Sequence, residues 1–400
     1  MINMDNLAKK ILEKTEGNIC KHCLGRMLSK SIEGKDNVSR AESLNADLTG
    51  ECVICDNIFD KIDAKLFQMV YDKIDFLKVE FDSFIVGSTI SKDIKKRDEE
   101  FIADLNLDVE PIKKEINRII GKELENSLKK EVNFEKQDII VNVNLKNNPK
   151  VRLQINPIFI EGKYNKLIRG IPQTKWPCRK CRGKGCDECN FTGKQYPTSV
   201  EELISEHVLK ATNGYEAKFH GAGREDIDVL MLGSGRPFVL EIKEPKIRKI
   251  NLKELEDQIN EINSGKTSYH NLKFVERRRK AEIKVSSPDA YKIYKAIVKC
   301  DKNYDEDKLA ALKDLNEIHQ QTPIRVSHRR ADKLRIKHVL DVSYRVIDET
   351  RFEMIIKTEG GLYIKELISG DGGRSNPNVA SILGVEAVCE QLDVIEVSDK

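Results

Sequence analysis

Eight of the chain's ten cysteines fall into four Cys-x-x-Cys pairs: Cys20/Cys23, Cys52/Cys55, Cys178/Cys181 and Cys186/Cys189. Two residues between thiolates let both sulfurs turn toward one ion from a tight knuckle, and two knuckles complete a zinc tetrahedron. The first two pairs are 28 residues apart, which leaves room for a small lobe between knuckles. The last two are four apart, and Gly183 and Gly185 relieve the backbone where it doubles back. One pair alone would suit redox-active or buried free cysteine. Four pairs, none in a thioredoxin-like strand-to-helix setting, predict structural Zn2+ on Cys20, Cys23, Cys52 and Cys55. The short loop of the second set suits either a second zinc or a metal-free turn. Neither set leaves an open coordination position, so catalytic metal is not expected. Cys300 and Cys389 stand alone and read as core residues.

A cysteine-rich chain with no signal-peptide pattern and no long apolar run reads as cytoplasmic rather than as a disulfide framework. Its 400 residues suggest two or three domains, and 39% hydrophobic residues can supply their cores. The 69 Lys and Arg nearly cancel 66 Asp and Glu, so partners must be read from local charge.

Ahead of residue 160 the pattern predicts an α+β module. Asp56 caps a helix with Ile58, Ile62, Leu66, Met69 and Val70 on one face. Leu77, Val79 and Phe81 alternate with charges as a strand, and the charged residues 92–110 read as a linker or variable loop. A helix is expected near 112–128 and strands near 139–145 and 151–155. From Lys163 to Lys194 nine basic residues stand against two acids, a phosphate-facing surface or a solvated loop. Ser199 and Glu202 form a capping box for a helix over 200–211. Strands follow near 227–231, 238–242, 274–278, 292–299, 339–346 and 352–357, with helices near 251–262 and 306–318. That order describes a large α+β domain whose strands cannot all be parallel.

No phosphate-binding loop, dinucleotide fingerprint, His-x-x-x-His pair or Gly-x-Ser-x-Gly elbow is present. The Gly221-Ala-Gly-Arg224-Glu-Asp226-Ile-Asp228 segment instead delivers an arginine and three acids from a flexible turn to a predicted strand, where Asp226 and Asp228 would share a face. Turns are rich in Gly and Asp, so a purely structural turn competes with this reading. Six of the thirteen residues from Arg325 to Lys337 are Lys or Arg, a density suited to gripping phosphates. Tyr363-Ile364-Lys365-Glu366 follows a glycine turn and opens a short helix ahead of Gly370-Asp-Gly-Gly-Arg374.

The string from Phe219 to Glu241 closely resembles the central motif of the tenth pseudouridine synthase family, archaeal and eukaryotic enzymes that act on the T arm of tRNA. The basic run 321–337, the Tyr363–Leu367 segment with its glycine loop, and Tyr164–Trp176 resemble the same family, and the N-terminal half resembles its RNA-binding THUMP domain. The resemblance spans nearly the whole chain. It implies an α+β protein with a zinc knuckle and THUMP-like module over residues 1–160. A catalytic domain over 161–400 would follow, carrying the 178–189 cysteine cluster on a mixed, mainly antiparallel sheet. It implies that Asp226 is the catalytic aspartate, that Arg224 helps hold the flipped nucleotide, and that Tyr294 stacks on the base, with Tyr291 close enough to compete. Ile364 would pack beneath the base and Lys365 would pair with the aspartate. Arg325, Arg329, Arg330, Lys333 and Arg335 would contact tRNA. Cys178, Cys181, Cys186 and Cys189 look like an elaboration of archaeal members.

The expected function is therefore isomerisation of uridine to pseudouridine at positions 54 and 55 of archaeal tRNA. The expected chain is a monomer, with no membrane partner and no organic or small-molecule cofactor. The reaction needs a carboxylate as nucleophile or proton acceptor, and a base flipped from a folded arm. A non-catalytic zinc-containing RNA-binding protein or RNA chaperone would use the same basic surfaces but has no need of the Asp226 and Ile364-Lys365 motifs. A THUMP-bearing methyltransferase or thiouridine synthase would need a cofactor loop, and none is visible in the sequence.

Overall fold

A computed structural model describes residues 6–286 and 291–398, with the side chains of Ser286 and Arg329 outside that description. The chain divides into two compact units, residues 1–157 with 244–248, and 158–243 with 249–400.

In the first unit, strands β1 (Ser83–Thr89), β2 (Glu131–Val132), β3 (Ile139–Asn144) and β4 (Lys150–Ile155) form a sheet of order β2-β1-β3-β4. β1 runs parallel to β2 and β3, and β4 is antiparallel to β3. A parallel pair needs a crossover, supplied here by helices Lys92–Asp104 and Ile112–Leu128. The first of these helices replaces the expected linker. Its buried face is narrow, with only Ile94, Asp98 and Phe101 inward, and its polar face carries Lys95–Glu99 and Lys96–Glu100 pairs. The strand expected at 77–81 is also displaced. Helix Ala64–Leu77, capped by Asp63, runs through Leu77, and β1 begins at Ser83.

Among the described residues the second unit holds ten strands: β5 (Ile158–Lys166), β6 (Glu216–Gly221), β7 (Leu230–Lys243), β8 (Thr267–Val275), β9 (Tyr291–Cys300), β10 (Glu317–Gln320), β11 (Arg335–Val346), β12 (Arg351–Glu359), β13 (Ser375–Asn376) and β14 (Ala387–Val397). Their order is β13-β10-β11-β12-β9-β14-β7-β5-β8, with β6 on β7. Every pairing is antiparallel except β14 with β7, so the sheet is mixed and mainly antiparallel. Helices Val200–Thr212 and Leu252–Ile262 pack Val200, Ile204, Val208, Leu255 and Ile259 into its core. Two sequence expectations shift here. Residues 306–314 form a 3-10 helix and β10 follows, while β8 ends at Val275 and a helix starts at Arg279. Among the described residues no helix is long and apolar enough to cross a membrane.

Candidate active site

The segment expected to begin a strand at Ile227 is a turn. Residues 222–229 join β6 to β7, whose first strand residue is Leu230. The turn is held from below by side chains that satisfy its backbone carbonyls. Lys166 is fully buried on β5, and its Nζ donates to the carbonyls of Ile171 (3.0 Å), Asp226 (2.9 Å) and Ile227 (3.1 Å). Burial pulls this amine down to about 8. Arg236 on β7 donates to Ala222 O at 3.0 Å, and Gln173 donates to Gly223 O at 3.0 Å. Gly223 has φ +83, a conformation that glycine adopts without strain.

The first acid of the motif, Glu225, faces inward. It accepts from Tyr164 Oη at 2.9 and 2.7 Å and from Arg236 Nε at 2.9 Å, with both partners buried. Burial and the neighbouring Glu225 carboxylate hold the Tyr164 phenol well above its ordinary range. The network anchors the turn and leaves Asp226, half-buried, at its head.

Two cations converge on Asp226. Arg325 Nη1 lies 2.9 Å from Oδ2 and Lys365 Nζ lies 3.5 Å from the same oxygen. Arg325 also bonds Glu366 through Nε at 2.6 Å, and although burial disfavours its charge, its two carboxylate partners raise it above the usual arginine value. Lys365 bonds Asp228 more closely, at 2.9 and 2.8 Å. Burial opposes the charge on Asp228, but the Lys365 bond lowers its carboxyl overall. Lys365 sits in the first turn of helix Ile364–Ser369, beside buried Ile364, and Gln320 fixes that helix start through Tyr363 N at 2.8 Å and Tyr363 O at 3.0 Å. Tyr294 is buried on β9, and burial pushes its phenol up to about 12, with Arg236 and Asp226 near enough to act on it. Tyr291 points elsewhere: its hydroxyl donates to Glu396 at 2.6 Å, and Lys357 stands over its ring. Arg224 is exposed and lies over the Trp176 ring at 4.9 Å.

Arg325 thus belongs to the carboxylate cluster rather than to an outward-facing phosphate patch. Arg330 is exposed and donates to Tyr363 Oη at 2.7 Å, while Lys333 is exposed. Arg335 folds onto its own loop, donating to Thr322 Oγ1 at 2.8 Å. The Arg329 side chain lies outside the described residues. The 163–194 stretch also divides. Lys166 is structural, and Arg169 bonds Asp393 and the carbonyls of Asp228 (2.6 Å) and Leu392 (3.0 Å), whereas Arg179, Arg182 and Lys184 are exposed. Sequence reading missed the Tyr164–Glu225–Arg236 network. Its three members come from β5, the turn and β7 and carry no local signature, although an acid between Arg224 and Asp226 is a faint one.

Each cysteine set gathers four sulfurs within 4.8 Å of one another. Zinc–sulfur bonds of about 2.3 Å imply sulfur–sulfur edges of about 3.8 Å in a tetrahedron. The closest separations match: 3.6 Å for Cys20–Cys55, and 3.9, 3.8 and 3.7 Å for Cys178–Cys186, Cys181–Cys189 and Cys186–Cys189. Backbone N–H groups also point at the sulfurs, from Gly185 to Cys181 (3.1 Å) and from Gly193 to Cys189 (3.2 Å). The donor sets therefore fit zinc.

Residues 159–398 match the family described as Pus10, C-terminal, and residues 68–144 match the Pus10 THUMP domain, archaeal. A protein of Methanothermobacter marburgensis named tRNA pseudouridine synthase Pus10 is 51% identical over 97% of this chain and 97% of its own length. A protein of the same name from Methanocaldococcus jannaschii is 50% identical over 87% of this chain and 75% of its own. One from Pyrococcus furiosus is 39% identical over 98% and 97%.

Proposed function

Given that the chain belongs to the Pus10 family and is a tRNA pseudouridine synthase, we propose that it isomerises the T-arm uridines 54 and 55 of tRNA, with Asp226 as the catalytic carboxylate. The observation that carries this reading is the placement of Asp226 at the head of a turn pinned through four of its carbonyls, with Arg325 and Lys365 converging on its side chain. Such a cluster holds the carboxylate in one orientation before substrate arrives. The reaction breaks the C1′–N1 bond, turns the uracil and joins C1′ to C5. The carboxylate works at the sugar, as nucleophile or as proton acceptor.

In this reading Tyr294 receives the flipped base, Ile364 packs beneath it, and Arg224 helps hold the nucleotide out of its stack. Arg330, Lys333 and Arg335 take phosphates, joined by Arg329 on sequence grounds. Arg325 acts chiefly on Asp226. Residues 1–160 bind RNA and residues 161–400 carry the chemistry. Zinc on each cysteine set supplies a cross-link that fixes its knuckle and takes no part in the reaction. The protein works in the cytoplasm, as a monomer.

Unmodified tRNA transcript incubated with the protein and mapped chemically for pseudouridine tests the reading. Conversion is expected at both positions. Asp226→Asn should bind tRNA and convert nothing. Asp228→Asn should retain activity, since Lys365 can then move its whole contact to Asp226. Turnover by Asp226→Asn would overturn the assignment.

A further inference from the structure

The active-site sheet buries two lysines, and they differ in one respect. Lys166 meets three backbone carbonyls. Lys292, on β9, is 7% exposed, yet among the described residues its amine has no hydrogen-bond or ion-pair partner. Its surroundings are polar but already matched. Glu225 is the nearby carboxylate, and its oxygens are taken by Tyr164 and Arg236. Arg236 on β7 and Lys337 on β11 add like charge. The register neighbours of Lys292 are Thr358 on β12 and Val397 on β14, and neither offers an opposite charge. A lysine this buried with no partner charge is costly to keep, and its amine is not closed off from solvent, so the chain holds it open to something outside itself.

Lys292 and Tyr294 alternate on the inward face of β9, about 7 Å apart along the strand. Tyr294 is the ring assigned above to the flipped base. We propose that Lys292 is a catalytic residue that donates to a carbonyl oxygen of the flipped uracil and stabilises the negative charge this ring gains as the C1′–N1 bond breaks. This rests on the reading of the Asp226 site given above. The electron pair of the broken bond passes to the uracil and spreads onto its two carbonyl oxygens. Lys292 keeps its proton throughout and donates a hydrogen bond. When C5 joins C1′, the C5 proton leaves to solvent and N1, which held none in uridine, takes one from solvent, so the product is an isomer and the lysine is unchanged. A donor aimed at charge that appears only during reaction accelerates the step without tightening ground-state binding.

Burial, reinforced by Arg236, pulls the amine down to about 7 in the free protein. The donor form is present below that pH and is lost as pH rises through it, so kcat/KM should bend downward near neutrality. Arg236 stays charged throughout, and Glu225 and Lys337 are the other charged groups that act on the amine.

Lys292→Met, compared with Asp226→Asn and the parent protein on the same tRNA transcript, tests the proposal. Lys292→Met should lower the single-turnover rate about a hundredfold with tRNA affinity unchanged. It should also erase the inflection near pH 7. Its melting temperature at pH 6 should equal or exceed the parent's, because a neutral side chain of similar length replaces an unpaired buried charge. A Lys292→Met protein with parental rate, with the inflection retained, or with a lower melting temperature alongside its lost activity would overturn the proposal. An active Lys292→Met beside an inactive Asp226→Asn sinks only the role of Lys292, whereas an active Asp226→Asn sinks the site itself.

Discussion

The two cysteine clusters offer four sulfurs at the same tetrahedral spacing, but the chain around each is built differently. In the first, Cys23, Cys52 and Cys55 are buried among Ile19, Leu24, Ile54, Ile58 and Phe59. One turn along its helix, Arg26 is fully buried and bonded to Asp98 and to the carbonyl of Glu110 at 2.8 Å, with Glu115 an ion-pair neighbour at 3.4 Å that makes no hydrogen bond to it. His22 stacks on Phe59 at 4.1 Å and reaches Glu115 at 3.1 Å. In the second, Cys178 alone is buried, Phe191 is 73% exposed, and the knuckle is closed by N–H···S bonds and one bridge between Pro177 and Lys194. A metal in the first cluster would add to a core that already exists, and one in the second would be almost all the core there is.

The largest expected effect breaks the polar half of the first cluster. Asp98→Ala leaves Arg26 buried with a weaker set of partners and should destabilise the first unit by about 3–5 kcal/mol. The matching change in the second cluster, Glu188→Ala, removes a solvent-exposed pair with Lys180 and should shift stability by less than about 0.5 kcal/mol. Denaturant unfolding of both variants measures the contrast. Equal midpoints would mean that the two clusters are supported alike.

Chelation should separate the clusters by order rather than by size. Metal binding and local folding are one equilibrium where no apolar core stands in. Protection from hydrogen exchange should therefore disappear first at Gly185, Cys186 and Gly193, whose amides bond to sulfur, while Cys23 and Leu24 stay protected. Simultaneous loss in both regions would break the comparison.

The same contrast explains what could be read before folding. The cysteine spacing and the Gly-Arg-Glu-Asp turn are local signals, and both appear as compact structures. Arg26 with Asp98, and Glu225 with Arg236 and Tyr164, are buried polar contacts between segments 72, 11 and 61 residues apart. No periodicity announces them. The helix at 92–104 reads as a linker because one of its three inward positions is Asp98, a residue that composition assigns to solvent until Arg26 is placed against it. Charge density alone groups Arg325 with phosphate ligands, and only the approach of its run to Glu366 and Asp226 separates it from its neighbours. Lys292 carried no signal at all beyond its place in an alternating strand.

The smallest effect concerns how the second knuckle bears on chemistry. Trp176 stands one residue before the Pro177–Lys194 bridge that closes the knuckle, packs edge-on to Tyr196 at 5.6 Å, and carries the Arg224 guanidinium over its ring. A cation–π contact at an exposed site contributes about 0.5–1 kcal/mol, enough to bias the position of Arg224 and too little to decide whether the unit folds. Trp176→Ala should therefore reduce kcat/KM about two- to fivefold without moving the melting temperature of the second unit. Trp176→Phe, which keeps an aromatic face, should recover most of the loss. If chelation of the second cluster lowers kcat/KM in the parent protein but leaves Trp176→Ala unchanged, the knuckle acts on the Asp226 turn through this ring. An equal fall in both would assign the knuckle's influence to its exposed arginines and lysines instead.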